Sequence, residues 1–233
     1  MSVTHDVTFL YAKGRLAGRL PEADSLDHIV IERSCFLGLV TSAVEAYNRE
    51  TNGFLVGNRG TRLVRQRPRE VTVLRAAYPL QTEDRKPNWV SHGNEKAFQR
   101  ARGAIENADV GYAVLGGFHS HTGDDGAASL SRTDLDYVAD ELRRISRGRP
   151  ADRVKWLEVV MALKRREWSS SHEAGWATRR YRRKIGCTVA LDATHGYDMT
   201  IGGYWVEGEP DGEPGAWDVV GTREARLRLP WMQ

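Results

Sequence analysis

An α/β fold is what the sequence predicts, and three stretches predict it. Between His28 and Gly57 a strand pattern gives way to a helix pattern and then to a second strand pattern. From Glu95 to Phe118 an amphipathic helix runs into a short apolar strand. From Arg132 to Leu163 the same order repeats.

Taken in order, His28-Ile29-Val30-Ile31-Glu32 reads as a short strand, and Ser34 stands where an N-cap would open a helix. Phe36, Leu37, Val40, Val44 and Tyr47 recur at the three- and four-residue spacing of one helical face. Gly53 breaks that helix after Arg49-Glu50-Thr51-Asn52, and Phe54-Leu55-Val56 forms a second strand ending at Gly57. Leu63–Val64 and Val71–Leu74 read as further strands, the latter extendable toward Leu80. The polar run Thr82 to Asn88, with Pro87, reads as a loop.

Glu95 to Ala108 places Ala97, Phe98, Ala101 and Ile105 on one helical face, and Gly111 to Phe118 follows as a buried strand. A third helix begins near Arg132, with Leu135, Val138, Leu142 and Ile145 as its stripe. Gly148 and Pro150 stop it. Val154–Leu163 and Cys187–Leu191 are the last strands expected. Glu207 to Gly215 has a linker's composition. The expected organisation is an N-terminal extension over 1–26, a domain over 27–206 and a C-terminal tail over 207–233.

Composition narrows the class. The 233 residues suit one principal domain, and 40% hydrophobic with 28% charged residues suits a globular chain. The first twenty residues lack the apolar stretch of a secretory signal, and no segment reaches the roughly 18 apolar residues of a spanning helix. A cytoplasmic location and no membrane partner are therefore expected. Cys35 and Cys187 stand far apart and outside any C-x-x-C pair, so they read as buried free thiols. Arginine gathers at Arg165-Arg166 and between Arg179 and Lys184, which suits either a solvated face or an acidic or phosphate-bearing partner.

The chemistry-bearing stretch is Gly116-Gly117-Phe118-His119-Ser120-His121-Thr122, followed by Ser131-Arg132-Thr133-Asp134. Residues two apart on a strand share a face, so His119 and His121 can both reach one ion. Asp134, in the first turn of the third helix, can supply an anionic oxygen. Two histidines and a carboxylate leave a fourth tetrahedral position for water, the arrangement of catalytic zinc. Glu50, at a helix-to-strand junction, is the candidate to accept a proton from that water and pass it on. Asp124 and Asp125 are rival third ligands, on a loop that holds a ligand less firmly.

Each element has a plain structural reading too. Paired strand histidines are commonly just half-buried, Ser131-x-x-Asp134 is a helix-capping box, and Glu50 is a polar helix end. Their occurrence together and in this order gives them weight. His5, His28, His92, His172 and His195 have no partner at ligand spacing.

Glu50-Thr51-Asn52-Gly53, His119-x-His121 and Ser131-x-x-Asp134 resemble the motif of the JAMM/MPN+ (Mov34/JAB) zinc metallopeptidases, and the likeness spans roughly residues 27–191. Thr122 stands where that family commonly has Pro. The loop to Ser131 is also longer than usual. The shorter register would put Arg132 at the ligand position, where it cannot bind a cation, so Ser131 and Asp134 are the matching pair.

The resemblance implies a cytidine-deaminase-like curved mixed β-sheet flanked by helices, with the metal site at one sheet edge. It implies one Zn2+ per chain on His119, His121 and Asp134, Glu50 as acid–base and Ser131 stabilising the tetrahedral intermediate. It further implies hydrolysis of an amide bond at the C-terminus of a ubiquitin-like modifier, by deconjugation or precursor processing, with E1- or E2-like components as partners. Two other classes remain open. One is a non-catalytic MPN scaffold, and the other a nucleic-acid-associated protein using the Arg179–Lys184 cluster with Tyr181 and Trp176, although nucleic acid is not the expected partner.

Overall fold

The structure is a computed structural model that describes residues 28–64, 67–80, 84–86, 89–91, 95–108, 111–122, 127–146, 154–171, 173, 175–181, 183–210 and 217–231. The expected extension over 1–26, Asp124 and Asp125, and the stop signals Gly148 and Pro150 lie outside them.

Strand β1 (His28–Ile31) leads into α1 (Arg33–Glu45), followed by the long antiparallel pair β2 (Asn52–Val64) and β3 (Arg67–Pro79). Strand β4 (Asp84–Lys86) falls within the stretch expected as loop and pairs with β5 (Trp89–Ser91) just beyond it. Then come α2 (Glu95–Ala108), β6 (Ala113–His121), α3 (Arg132–Ser146) and β7 (Val154–Glu167). The chain ends with β8 (Gly175–Tyr181), β9 (Lys184–Ala190), β10 (His195–Pro210), β11 (Trp217–Glu224) and β12 (Arg226–Arg228).

One mixed sheet runs in the order β12-β1-β3-β2-β6-β7-β10-β9-β8, with β11 on the far half of β10. Its parallel pairs are β12 with β1, β1 with β3, and β6 with β7. Helix α1 lies on one face, over a core of Phe36, Leu39, Phe118, Leu157, Val159, Met161, Ile201 and Leu227 among others. On the other face Phe98 of α2 and Val138 and Leu142 of α3 meet Phe54, Val56, Trp156 and Val206. Strand alternation divides neighbours between these faces: Phe118 enters the α1 core, while His119 and His121 face α3. No described helix is long and apolar enough to cross a membrane.

Four further expectations change. The N-cap of α1 is Glu32, whose side chain pairs with Arg75 rather than capping, and Ser34 Oγ donates to the Arg75 carbonyl at 2.5 Å. The sequence ended its strands at Leu191, yet β10 is a hub bonded to β7, β9 and β11. Its run HGYDMTIGGYWVEGEP has low strand propensity, and partners on both sides supply the order that propensity lacks. The expected domain boundary after Val206 falls inside β10. Residues 217–228 belong to the sheet, with Ala225 and Leu227 buried and the Trp231 ring 5.2 Å from Phe36. Finally, the histidine strand β6 is central, so the site lies at strand ends in mid-sheet rather than at a sheet edge.

Candidate metal centre

Strand β6 and helix α3, joined by residues 122–131, belong to a β6–α3–β7 unit whose two strands are parallel. His119 and His121 end β6, and the first turn of α3 starts above them. There Ser131 and Asp134 form a capping box: the Asp134 N–H donates to Ser131 Oγ at 3.2 Å, and the Ser131 N–H to Asp134 Oδ2 at 2.6 Å. The structural reading of Ser131-x-x-Asp134 therefore holds. It also aims Asp134 at the histidines.

His119 Nε2 lies 3.2 Å from His121 Nε2 and 3.5 Å from Asp134 Oδ1, and His121 Nε2 lies 3.4 Å from Asp134 Oδ2. Ligand atoms at the usual zinc distances on a tetrahedron stand about 3.3 Å apart. The three side chains converge at about that spacing, with one ligand atom of each within 4.8 Å of the others, and they are the metal-competent cluster among the described residues. The donor set of two imidazoles and one carboxylate suits zinc and leaves an open position.

Each histidine is held from behind. His119 Nδ1 lies 2.8 Å from Glu158 Oε1, and the other Glu158 oxygen accepts from Trp156 Nε1 at 2.7 Å. His121 Nδ1 lies 2.8 Å from the Ala127 carbonyl oxygen. Both rings thus set Nδ1 against an acceptor and turn Nε2 toward the ion position, the arrangement that outer partners impose on metal-binding histidines. Glu158 is only 1% exposed. Gly117 makes room for it: a Cβ there would come within 3.0 Å of Glu158 Oε2 and 3.1 Å of the Trp156 ring.

Electrostatics mark the same point. Burial works against a charged His119, but Asp134 and Glu158 more than reverse it and push the ring up to about 10. His121 is raised chiefly by its hydrogen bond to Asp134. Burial would lift Asp134, yet the two rings hold it well below the usual carboxylate range.

Glu50 stands between the turn that follows α1 and the start of β2, half-buried. Burial raises its carboxyl, His119 and His121 pull it down and Asp134 pushes it up, so it sits within electrostatic reach of all three. Ser120 fixes that segment: the Ser120 N–H donates to the Thr51 carbonyl at 2.9 Å, and the Thr51 N–H donates to Ser120 Oγ at 3.0 Å. His119, His121 and Asp134 therefore meet at one point, with Ser131 bonded to Asp134 and Glu50 within electrostatic reach. Ser131 Oγ accepts from Asp134 and keeps its own proton free to donate.

Sequence reasoning missed Glu158, Trp156 and Ser120. Glu158 had a signal, an ionisable residue inside the apolar run from Trp156 to Leu163. Of the arginine-rich region, Arg183 donates to the Glu224 carbonyl, Lys184 to the Ala128 carbonyl, Arg165 pairs with Glu167 and Arg166 with Asp198. Side chains of Arg179, Arg180, Tyr181 and Arg182 lie outside the described residues.

The family model described as prokaryotic homologs of the JAB domain matches residues 32–176, a span that includes every one of these site residues. No curated protein matches the sequence. The solution structure of a protein from Desulfitobacterium hafniense is 15% identical, with a TM-score of 0.41 over 86% of this chain and 92% of that one, a superposition too loose to carry an inference.

Proposed function

The chain belongs to the prokaryotic homologues of the JAB domain, and on that premise we propose that it is a zinc-dependent amide hydrolase acting at the C-terminus of a ubiquitin-like modifier. The observation that carries the reading is the convergence of His119 Nε2, His121 Nε2 and the Asp134 carboxylate on one point. The substrate class rests on the family resemblance.

Zinc, when bound, polarises a carbonyl and lowers the pKa of water toward about 7, giving a nucleophile at neutral pH. His119, His121 and Asp134 would hold it. Glu50 accepts the proton of the attacking water and returns it to the departing amine, the work of a carboxylate beside but outside the ligand set. The Ser131 hydroxyl, exposed at the mouth, donates to the oxygen on which negative charge develops.

The test is elemental analysis of the purified chain beside His121→Ala, then cleavage of fusions to co-encoded ubiquitin-like proteins with Glu50→Gln as control. One zinc per chain, lost in His121→Ala, with cleavage abolished in a zinc-loaded Glu50→Gln, is the expected result. Zinc bound with every fusion left intact would overturn the substrate class. No zinc even after supply would leave a partner-binding scaffold.

A further inference from the structure

Ala128, shortly before Ser131, is anchored by residues that belong to no motif. Ala128, 4% exposed, offers its carbonyl to two donors at once, Tyr204 Oη at 2.6 Å and Lys184 Nζ at 2.8 Å. The Lys184 ammonium also lies 6.0 Å from the Tyr204 ring centroid, a cation–π contact. Beneath the same oxygen lies Gly202, where a Cβ would come within 2.6 Å of it, so this seat admits only glycine. Two donors fill both lone pairs of one carbonyl, and β9 and β10, which carry them, are bonded to each other.

What this seat holds is one peptide away from the metal cluster. The carbonyl of the preceding residue, Ala127, receives His121 Nδ1–H at 2.8 Å. Fixing Ala128 therefore fixes the acceptor that orients His121. Gly202 pairs with Val160, which pairs with His119, so the seat lies in the same cross-strand row as the first ligand. We propose that Lys184 and Tyr204, over Gly202, are positioning residues that clamp Ala128 and so hold His121 in its metal-binding orientation. This rests on the zinc reading above, and it assigns Lys184 to the site's support rather than to the basic surface suggested by its sequence neighbours.

The experiment compares full-length wild type, Tyr204→Phe, Lys184→Met, their double variant and Lys184→Arg. Tyr204→Phe removes a single oxygen and should fold, which circular dichroism checks. Two readouts are taken. Zinc affinity by chelator competition should fall about tenfold in each single variant and further in the double, in the range seen when a ligand's outer partner is lost, and Lys184→Arg should recover most of it. In zinc-free protein the His121 Nδ1–H proton, resolved by NMR in wild type, should exchange rapidly with solvent in the double variant.

A double variant that keeps a protected Nδ1–H, or that binds zinc within twofold of wild type, overturns the clamp. If wild type itself binds no zinc, the metal reading fails on its own, and the Nδ1–H proton still decides the clamp.

Discussion

The two faces of the sheet are built from different chemistry. The α1 face is apolar almost throughout, with Phe36, Leu39, Phe118, Leu157, Met161 and Leu227 buried to 1% exposure or less. The α2/α3 face buries Glu158 and Glu141 at 1% exposure, with His119 at 5%. Buried charge costs free energy unless it is paired and hydrogen-bonded. Here the two buried carboxylates lie under α3, where Asp134, Tyr137 and Glu141 follow one another at helical spacing toward Trp156 and Glu158. The difference teaches a division of labour: the α1 face holds the sheet together, and the polar seam under α3 orients the site.

Substitutions in the two faces should therefore separate. The largest effect belongs to the site: Glu50→Gln should lower hydrolysis by about 10²–10⁴-fold, the usual worth of a general base, while zinc content and melting temperature stay near wild type. Phe36→Ala, on the other face, should destabilise by about 3–5 kcal/mol through lost burial and a cavity. Denaturant titration reads that loss. If the variant still folds at low temperature, it should bind one zinc. Loss of zinc from folded Phe36→Ala would break the comparison.

Legibility in the sequence follows the same division. Helices α1, α2 and α3 were readable because their apolar residues recur at three and four, and the ligands because His119-x-His121 and Ser131-x-x-Asp134 are compact and local. Strand β10 was not, since Gly202-Gly203 and Asp198 argue against a strand until β7 and β9 are seen on either side. The closing strands β11 and β12 were hidden for a related reason. Their pairing partners are β10 and β1, which no local pattern points to. Glu158 and Lys184 act on the site only through the register of β6, β7, β9 and β10, which no local spacing encodes.

The polar seam should also make stability depend on pH. Burial pushes Glu141 up from 4.5 to about 7, outweighing the pull of Arg144 at 2.6 Å and its bond from Tyr137. A carboxyl whose pKa is raised on folding favours the folded state when protonated. Its contribution is therefore full below pH 4.5 and is lost as pH rises through about 7. The loss is at most about 3 kcal/mol at 1.36 kcal/mol per pKa unit. Denaturant titrations at pH 5 and pH 8 should show it, and Glu141→Gln, which cannot titrate, should flatten the difference. An unchanged slope in that variant would assign the pH dependence elsewhere.

The smallest expected effect tests whether the seam orients the metal ligands or merely fills space beneath them. In Glu158→Gln the volume is nearly kept, but one of two acceptor oxygens becomes an amide N–H2. Both neighbours, Trp156 Nε1–H and His119 Nδ1–H, are donors to that carboxylate. The two donors address different oxygens, and the amide oxygen can occupy only one of those two positions, so either the tryptophan or the histidine faces the amide N–H2. If His119 loses its acceptor, its ring is free to turn and Nε2 no longer meets the ion position unaided. Zinc affinity should then fall about 10–100-fold, measurable by chelator competition. Phe36→Ala, judged by the same competition on folded protein, should leave the affinity alone. Equal losses in the two variants would mean that the apolar face orients the ligands as much as the polar one does.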